Sequence, residues 1–264
     1  MRIGFIGAGN MAEALIAGLI KSKTAAPADI LISDLLKPRI DELQKKYGVT
    51  PGLSNRAVIS NSEAIILAVK PKDAGFVRET LTVLRPGSFV ISIMAGITTS
   101  YFENTDAKIP LLRVMPNTPA LVLAGMAAVC KGKYATAKQL DKTKVILGSV
   151  GKVVEVEEKY MDAVTAISGS GPAYLFYFAE ALLEAAKKTG LDEKTAKLLV
   201  ENTLLGSAKM LSESTEAPSA LRAKVTSPGG TTAAALEVFE KMNFKQIINE
   251  AVEAARKKSK EISK

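Results

Sequence analysis

Hydrophobic positions along the first part of the chain switch repeatedly between two spacings. Ile3–Ile6 is a short apolar run that ends at a glycine, and Met11, Leu15 and Leu19 follow at helical spacing. Residues 30–33, 64–69, 89–93 and 111–115 repeat the short apolar form, with helical stretches over 74–84 and 100–104 between the later ones. Residues 126–130 and 152–156 flank a helix predicted over 135–147 and would extend the sheet at its edge. Short buried strands alternating with helices predict parallel βαβ units with right-handed crossovers.

Beyond Glu155 the strand signals stop. Tyr174, Phe178, Ala181, Leu182 and Ala185 form one helical stripe. Asp192 is placed to cap a helix that carries Ala196, Leu199, Val200, Thr203, Leu204 and Met210. Phe244, Ile247, Ile248, Ala251, Val252 and Ala255 make another stripe. The spacing therefore predicts an α/β domain over residues 1–157 and an all-helical one over 158–264. The stripes serve packing, either inside the chain or between subunits.

The composition narrows the chemistry. The chain has 264 residues and a formal net charge of +8, which favours anionic partners without saying which. Histidine is absent, so His-based triads, His-ligated zinc and imidazole acid–base catalysis are excluded, and no metal site is expected. The single cysteine, Cys130, lies in an apolar stretch and reads as a buried packing thiol in a reducing, cytoplasmic setting. The longest apolar stretch, 120–130, falls far short of the roughly 20 residues a spanning helix needs, so no membrane partner is expected. Basic residues outnumber acidic ones from Lys241 onward, but no aromatic residues interleave with them after Phe244. A solvated helix face is expected there, not a nucleic-acid surface.

Ile6-Gly7-Ala8-Gly9-Asn10-Met11-Ala12 joins the first strand to the first helix in the G-x-G-x-x-A form of a dinucleotide site. Gly7 would permit the tight turn, Gly9 would let backbone approach a pyrophosphate, and Ala12 would let the helix pack closely on the strand. The fold class is thus α/β, with a Rossmann-type doubly wound sheet first. Asp34 ends the second strand, where an acidic side chain accepts hydrogen bonds from the adenosine ribose and disfavours a 2′-phosphate. Lys37 and Arg39 lie just beyond and offer that phosphate a partner, and Asp34 has an alternative role as a turn cap. NADH and NADPH both stay open.

Three turn-rich segments interrupt the later pattern: 115–119, 168–172 and 227–232. In the last, two glycines enter a helix and would expose the N–H groups of Gly230, Thr231 and Thr232 to a small anion such as a carboxylate. The chain resembles the pyrroline-5-carboxylate reductase family at five places in order. These are Ile3 to Met11, Ala68-Val69-Lys70-Pro71, Met115 to Ala120, Ser168 to Tyr174, and Leu221 through Ser227-Pro228-Gly229-Gly230-Thr231-Thr232 to Leu236.

The resemblance implies hydride transfer from NADH or NADPH to the C=N bond of 1-pyrroline-5-carboxylate, giving L-proline. It implies cofactor contacts from Ile6, Gly7, Ala8, Gly9, Asn10 and Met11, from Asn55, from Ala68, Val69, Lys70 and Pro71, and from Met94, Ala95 and Gly96. It places the substrate carboxylate on Ser227, Gly229, Gly230, Thr231 and Thr232, with the Thr232 hydroxyl beside the ring nitrogen as the catalytic group. The helical domain would be a dimerisation domain, in homodimers assembled further, and Thr232 would serve a nicotinamide on its own or the partner subunit. Asp34 departs from the Ser or Thr of many relatives. A β-hydroxyacid dehydrogenase or another imine reductase is the alternative. The hydroxyacid enzymes carry a lysine within the first long interdomain helix, where this chain has none from Ala173 to Ala186.

Overall fold

The structure, a computed structural model, describes residues 1–104 and 107–263. Among these, eight strands form one sheet: β1 Ile3–Ile6, β2 Ile30–Ser33, β3 Thr50–Pro51, β4 Ala64–Leu67, β5 Phe89–Ser92, β6 Leu111–Met115, β7 Gly125–Lys131 and β8 Gly151–Glu155. Their spatial order is β3-β2-β1-β4-β5-β6-β7-β8. Helices α1 Asn10–Lys21, α2 Lys37–Tyr47, α3 Asn55–Ser60, α4 Ala74–Thr80 and α5 Thr99–Glu103 occupy the successive connections from β1 to β6, and every pairing among those strands is parallel.

The expected run of parallel units breaks between β6 and β7, which pair antiparallel. Their connection holds only the short 3₁₀ turn Thr118–Val122, too little chain for a crossover, which takes a dozen or more residues. Helix α6, Ala137–Gly148, restores the parallel sense between β7 and β8 and starts with a capping box made by Thr136 and Gln139.

Alternation along the strands divides the core in two. Ile3, Phe5, Ile30, Ile32, Ile66 and Ile91 face α1, whose Leu15, Ile16 and Leu19 complete that layer. Ile6, Ile65, Leu67 and Val90 face the other way, onto Val58 and Ile59 of α3 and Val77 of α4. Helices α2 and α3 and the two-residue β3 lie where apolar spacing gives little signal. Helix α2 buries only Leu43 and is marked instead by a proline in its first turn and by Gly48 at φ 71° after its last.

The chain divides into two compact units: Met1–Ser170 together with the residues from Ala255 on, and Gly171–Ala254. The first runs past the boundary expected near Glu157, because the next residues are built into it. Glu158 accepts hydrogen bonds from Thr99 N–H (2.7 Å), Thr99 Oγ1 (2.6 Å) and Arg113 Nη1 (3.0 Å). Met161, which opens α7 (Met161–Val164), is buried with Ala128 and Cys130.

The second unit holds α8 Gly171–Lys188, α9 Glu193–Glu213, α10 Pro218–Lys224, α11 Thr231–Lys241 and the first part of α12, Phe244–Ile262. Asp192 caps α9 as expected, accepting from Thr195 N–H at 3.0 Å. The apolar stripes are not a core within this unit. No residue of α8 is buried, α9 buries only Ala196 and Val200, and Leu199, Met210, Ile247 and Ile248 are exposed. So much uncovered apolar surface on one unit leaves packing between subunits as the role of the stripes. No helix among the described residues is long and apolar enough to cross a membrane.

An ion cluster ties α1 to α2. The Glu13 carboxylate takes Arg39, Lys46 Nζ at 2.8 Å and the Tyr47 hydroxyl at 3.0 Å. Burial alone would raise the pKa of Glu13, but the hydrogen bonds from Lys46, Arg39 and Tyr47 outweigh it and hold the group at about 2. Because the folded value lies below the ordinary 4.5, this stabilisation is complete above pH 4.5 and is lost as pH falls toward 2. Glu13→Gln is expected to cost about 1–2 kcal/mol at neutral pH and to flatten the acid-side fall in the thermal midpoint, measured by circular dichroism from pH 2 to 7.

Candidate functional site

The register of the central strands sets the site. Ile3 lies level with Ile30 on one side and with Ala64 on the other, so Ile6, Ser33 and Leu67 end together at the carboxyl edge. This is where strand order reverses, between β1 and β4. Gly7 N–H donates to Ser33 O and Ala68 N–H to Ile6 O, both at 2.8 Å, so the loops after all three strands are joined at their first residues.

The two motif glycines do different things. Gly7 has φ +98°, and a Cβ there would stand 2.7 Å from the Ala68 carbonyl oxygen, so the fold itself requires glycine. Gly9 is extended at φ −71° and ψ −177°, and a Cβ there would meet nothing within 4 Å. Nothing in the protein requires a bare Cα at Gly9, and its open face leaves room for a group from outside. Gly9 also precedes α1 without any side-chain cap. Glu13 N–H makes the first helical bond, to Gly9 O, so the N–H groups of Asn10, Met11 and Ala12 have no acceptor within the helix. These features fit a dinucleotide pyrophosphate.

Beside this turn lies a cleft of about 560 Å³. It brings together Ile6, Gly7, Gly9, Asp34, Asn55, Ala68, Val69 and Lys70 of the expected cofactor set. Ala8, Asn10, Met11 and Pro71 do not line it, nor do Met94, Ala95 and Gly96. The Met94 side chain is buried in the second core layer, so that segment offers a ligand its backbone and not the thioether.

Asp34 has the turn-capping role that was its alternative. Its Oδ2 accepts from Ala8 N–H at 2.7 Å and its Oδ1 from Leu36 N–H at 2.9 Å. A carboxylate has about four acceptor positions, so room for ribose hydroxyls remains. The Ala8 N–H, however, faces Asp34. Arg39 is committed elsewhere: its Nε donates to Ala8 O at 2.7 Å and its other nitrogens pair with Glu13 and Glu42. Lys37 is left as the exposed cation at the start of α2.

Of the cleft residues that were not picked out from sequence, two bear on a ligand. Ser33 Oγ donates to Asn55 Oδ1 at 2.8 Å, which fixes the Asn55 amide. Phe76 lines the cleft and is 60% exposed. Its signal was a large aromatic off the Ala74, Val77, Leu81 stripe that carries the helix into the core.

In the second unit, residues 227–230 form a β-turn. Gly230 N–H donates to Ser227 O at 3.0 Å, with Pro228 second and Gly229 third at φ +69°, the pattern of a type II turn. The Gly230 N–H expected to face an anion therefore closes the turn instead. Helix α11 starts after it without a side-chain cap, and Ala234 N–H makes the first helical bond to Gly230 O. The N–H groups of Thr231 and Thr232 keep the expected freedom, with Thr231 exposed and Thr232 half-buried. Ser227, also exposed, supplies the turn's carbonyl.

The other turn-rich segments are structural here. Asn117 accepts from Met126 N–H at 2.9 Å and donates to Ser168 Oγ at 3.3 Å. Residues Thr165–Gly169 form one π-helical turn. Burial pushes the Cys130 thiol up to about 12, as suits a packing residue. No group of metal-ligating side chains occurs among the described residues.

Residues 158–262 match the family model described as pyrroline-5-carboxylate reductase dimerisation, and residues 2–96 match one described as NADP oxidoreductase, coenzyme F420-dependent. The chain is 43% identical over 264 residues to pyrroline-5-carboxylate reductase of Synechocystis sp., covering 100% of this chain and 99% of that protein. A structure of a pyrroline-5-carboxylate reductase from Coxiella burnetii superposes with a TM-score of 0.93 at 37% identity, covering 100% of this chain and 98% of that one. The Plasmodium falciparum enzyme with NADP bound superposes at 0.90 and 33% identity, with the same coverage.

A glycine turn at the switch point of a mostly parallel sheet that matches an NADP oxidoreductase model, followed by a helical unit that matches a dimerisation model, defines a class: oligomeric oxidoreductases built on a dinucleotide-binding fold. Within that class, the chain belongs to the pyrroline-5-carboxylate reductase family.

The contrast between the glycines is open to test by urea denaturation. Gly7→Ala is expected to cost about 2–3 kcal/mol or more, from the left-handed backbone and the Ala68 contact together. Gly9→Ala is expected to cost under about 1 kcal/mol, the difference between glycine and alanine at a helix cap.

Proposed function

We propose that the protein reduces the C=N bond of 1-pyrroline-5-carboxylate to give L-proline, the last step of proline biosynthesis, with NADH or NADPH as reductant. The observation that carries this reading is the start of α11, where two neighbouring threonines present free N–H groups and hydroxyls after a turn that only Gly229 readily supports. A carboxylate one bond from a ring carbon beside a nitrogen suits that arrangement.

The substrate carboxylate accepts from the N–H groups of Thr231 and Thr232 at the positive end of α11. The Thr232 hydroxyl accepts from the ring N–H and orients the C=N face. A cyclic imine protonates readily, and its iminium is already an electrophile, so this chain needs no strong acid and its lack of histidine is no handicap. When bound, the reduced dinucleotide supplies a hydride. The C5 carbon gains it, and the nitrogen keeps its proton and becomes the amine.

The pyrophosphate is held by the start of α1 against the bare Cα of Gly9, the ribose by Asp34, and the adjoining parts by Asn55, the 68–71 loop and the backbone of 94–96. Phe76 gives the adenine a face to stack on. The work of the site is positioning. The exposed stripes of α8, α9 and α12 support a homodimer; assembly into a larger ring rests on the family resemblance, and a cytoplasmic setting on the single cysteine.

The direct test is loss of NADH absorbance on adding 1-pyrroline-5-carboxylate, with oxidation of a β-hydroxyacid as the control for the alternative enzyme. Turnover of the hydroxyacid alone would overturn the reading. Thr232→Ala is expected to lower kcat roughly 10–100-fold while the KM for NADH stays nearly constant, as expected for one lost hydrogen bond to a charged group. Asp34→Ser is expected to raise the NADPH-to-NADH ratio of kcat/KM by about tenfold or more, since a carboxylate no longer faces the 2′-phosphate. An unchanged ratio would remove Asp34 from cofactor choice.

A further inference from the structure

The last residues of α12 belong to the first unit, and they close on the loop after β5. Gly96 turns that loop at φ +73°, and a Cβ there would stand 2.9 Å from the Ile262 carbonyl oxygen and 3.2 Å from Ile262 Cγ1. Ser259, only 3% exposed on a helix that is otherwise mostly exposed, donates from Oγ to Asp162 Oδ1 at 2.7 Å. Ser263 Oγ donates to Ser259 O at 2.9 Å and lies 3.3 Å from the same Asp162 oxygen. Asp162 stands on α7, which Met161 anchors in the core, so the contact has a fixed base.

The loop under this contact is anchored on either side of Gly96 by the buried Met94 and Ile97 side chains. Met94 N–H reaches Ser92 Oγ only at 3.5 Å. The neighbouring Ile93 N–H donates to Leu67 O at 3.2 Å, which places 94–96 beside the 68–71 loop at the carboxyl edge of the sheet. Along that edge the 94–96 loop lies across β1 and β4 from Asp34. The backbone at 96 is left-handed and lies against the carbonyl of Ile262, so the end of α12 packs directly on the loop at this residue.

We propose that the clasp of Ser259 and Ile262 on Asp162 and Gly96 is a positioning element for the nicotinamide half of the dinucleotide. It holds the 94–96 backbone in place against the ring, and it has no part in binding the adenosine half. The proposal rests on the reading that 94–96 meets the cofactor. Both halves of the dinucleotide must therefore be measured separately.

NADH and ADP-ribose, which lacks the nicotinamide, would be titrated against the full chain, a chain ending at Lys258, Ser259→Ala, Asp162→Ala and Asp162→Asn. The truncated chain and Asp162→Ala are expected to bind NADH about tenfold more weakly and to lose kcat, while ADP-ribose affinity stays within about twofold. Ser259→Ala, the mildest change, is expected to fall between these and the full chain. Asp162→Asn keeps an acceptor oxygen and is expected to retain most of the NADH affinity. Gly96→Ala is expected to weaken NADH binding in the full chain and less so in the truncated one, because the Ile262 carbonyl is then gone. Equal weakening of NADH and ADP-ribose, or no change in either, would overturn the proposal. Absence of NADH binding to the full chain would overturn the cofactor reading and the clasp together.

Discussion

Parallel pairing of β2, β1 and β4 at a common level is the constraint on which the rest depends. Parallel strands held level must end at the same edge, and the chain leaves each of them there for a crossover helix. The loops that carry Gly7, Asp34 and Ala68 therefore meet although they are far apart in sequence. Gly7 to Ser33 and Ala68 to Ile6 continue the ladder one step beyond the strands, so the loops inherit the rigidity of the sheet. A Cβ at position 7 would stand 2.7 Å from the Ala68 carbonyl oxygen, so the loop after β4 could not keep its place.

The polar network over this edge explains why the charges there do not all serve a ligand. Arg39 looks available in sequence, but its guanidinium joins the Ala8 carbonyl to Glu13 and Glu42. Asp34 binds the other side of the same peptide segment through Ala8 N–H. The glycine turn is thus held from both faces by charge-assisted hydrogen bonds, which are stronger than neutral ones. A helix start kept rigid in this way would meet an anion with little reorganisation.

The helical unit follows a different logic. Its helices carry clear apolar stripes, yet the stripes stay largely uncovered within one chain. Stability of such a unit comes from association, and the match of 158–262 to a dimerisation model agrees. The turn at 227–230 is local by contrast: proline, a left-handed glycine and one hydrogen bond set the start of α11 without help from distant residues.

Features dictated by local chemistry could be read directly from the order of residues. Strand and helix periods, the glycine turn into α1, the Asp192 cap and the Pro-Gly-Gly entry to α11 all depend on neighbours a few residues away, and so they were legible. Helix α2 was not, because a helix that buries one leucine has almost no apolar period to read. The tertiary structure alone decided which groups each polar atom meets. It turned β7 antiparallel, gave the Arg39 side chain to Glu13, set Phe76 at the cleft and brought Ile262 onto Gly96. Such partners are chosen by how whole layers pack, and spacing along the chain carries no record of that choice.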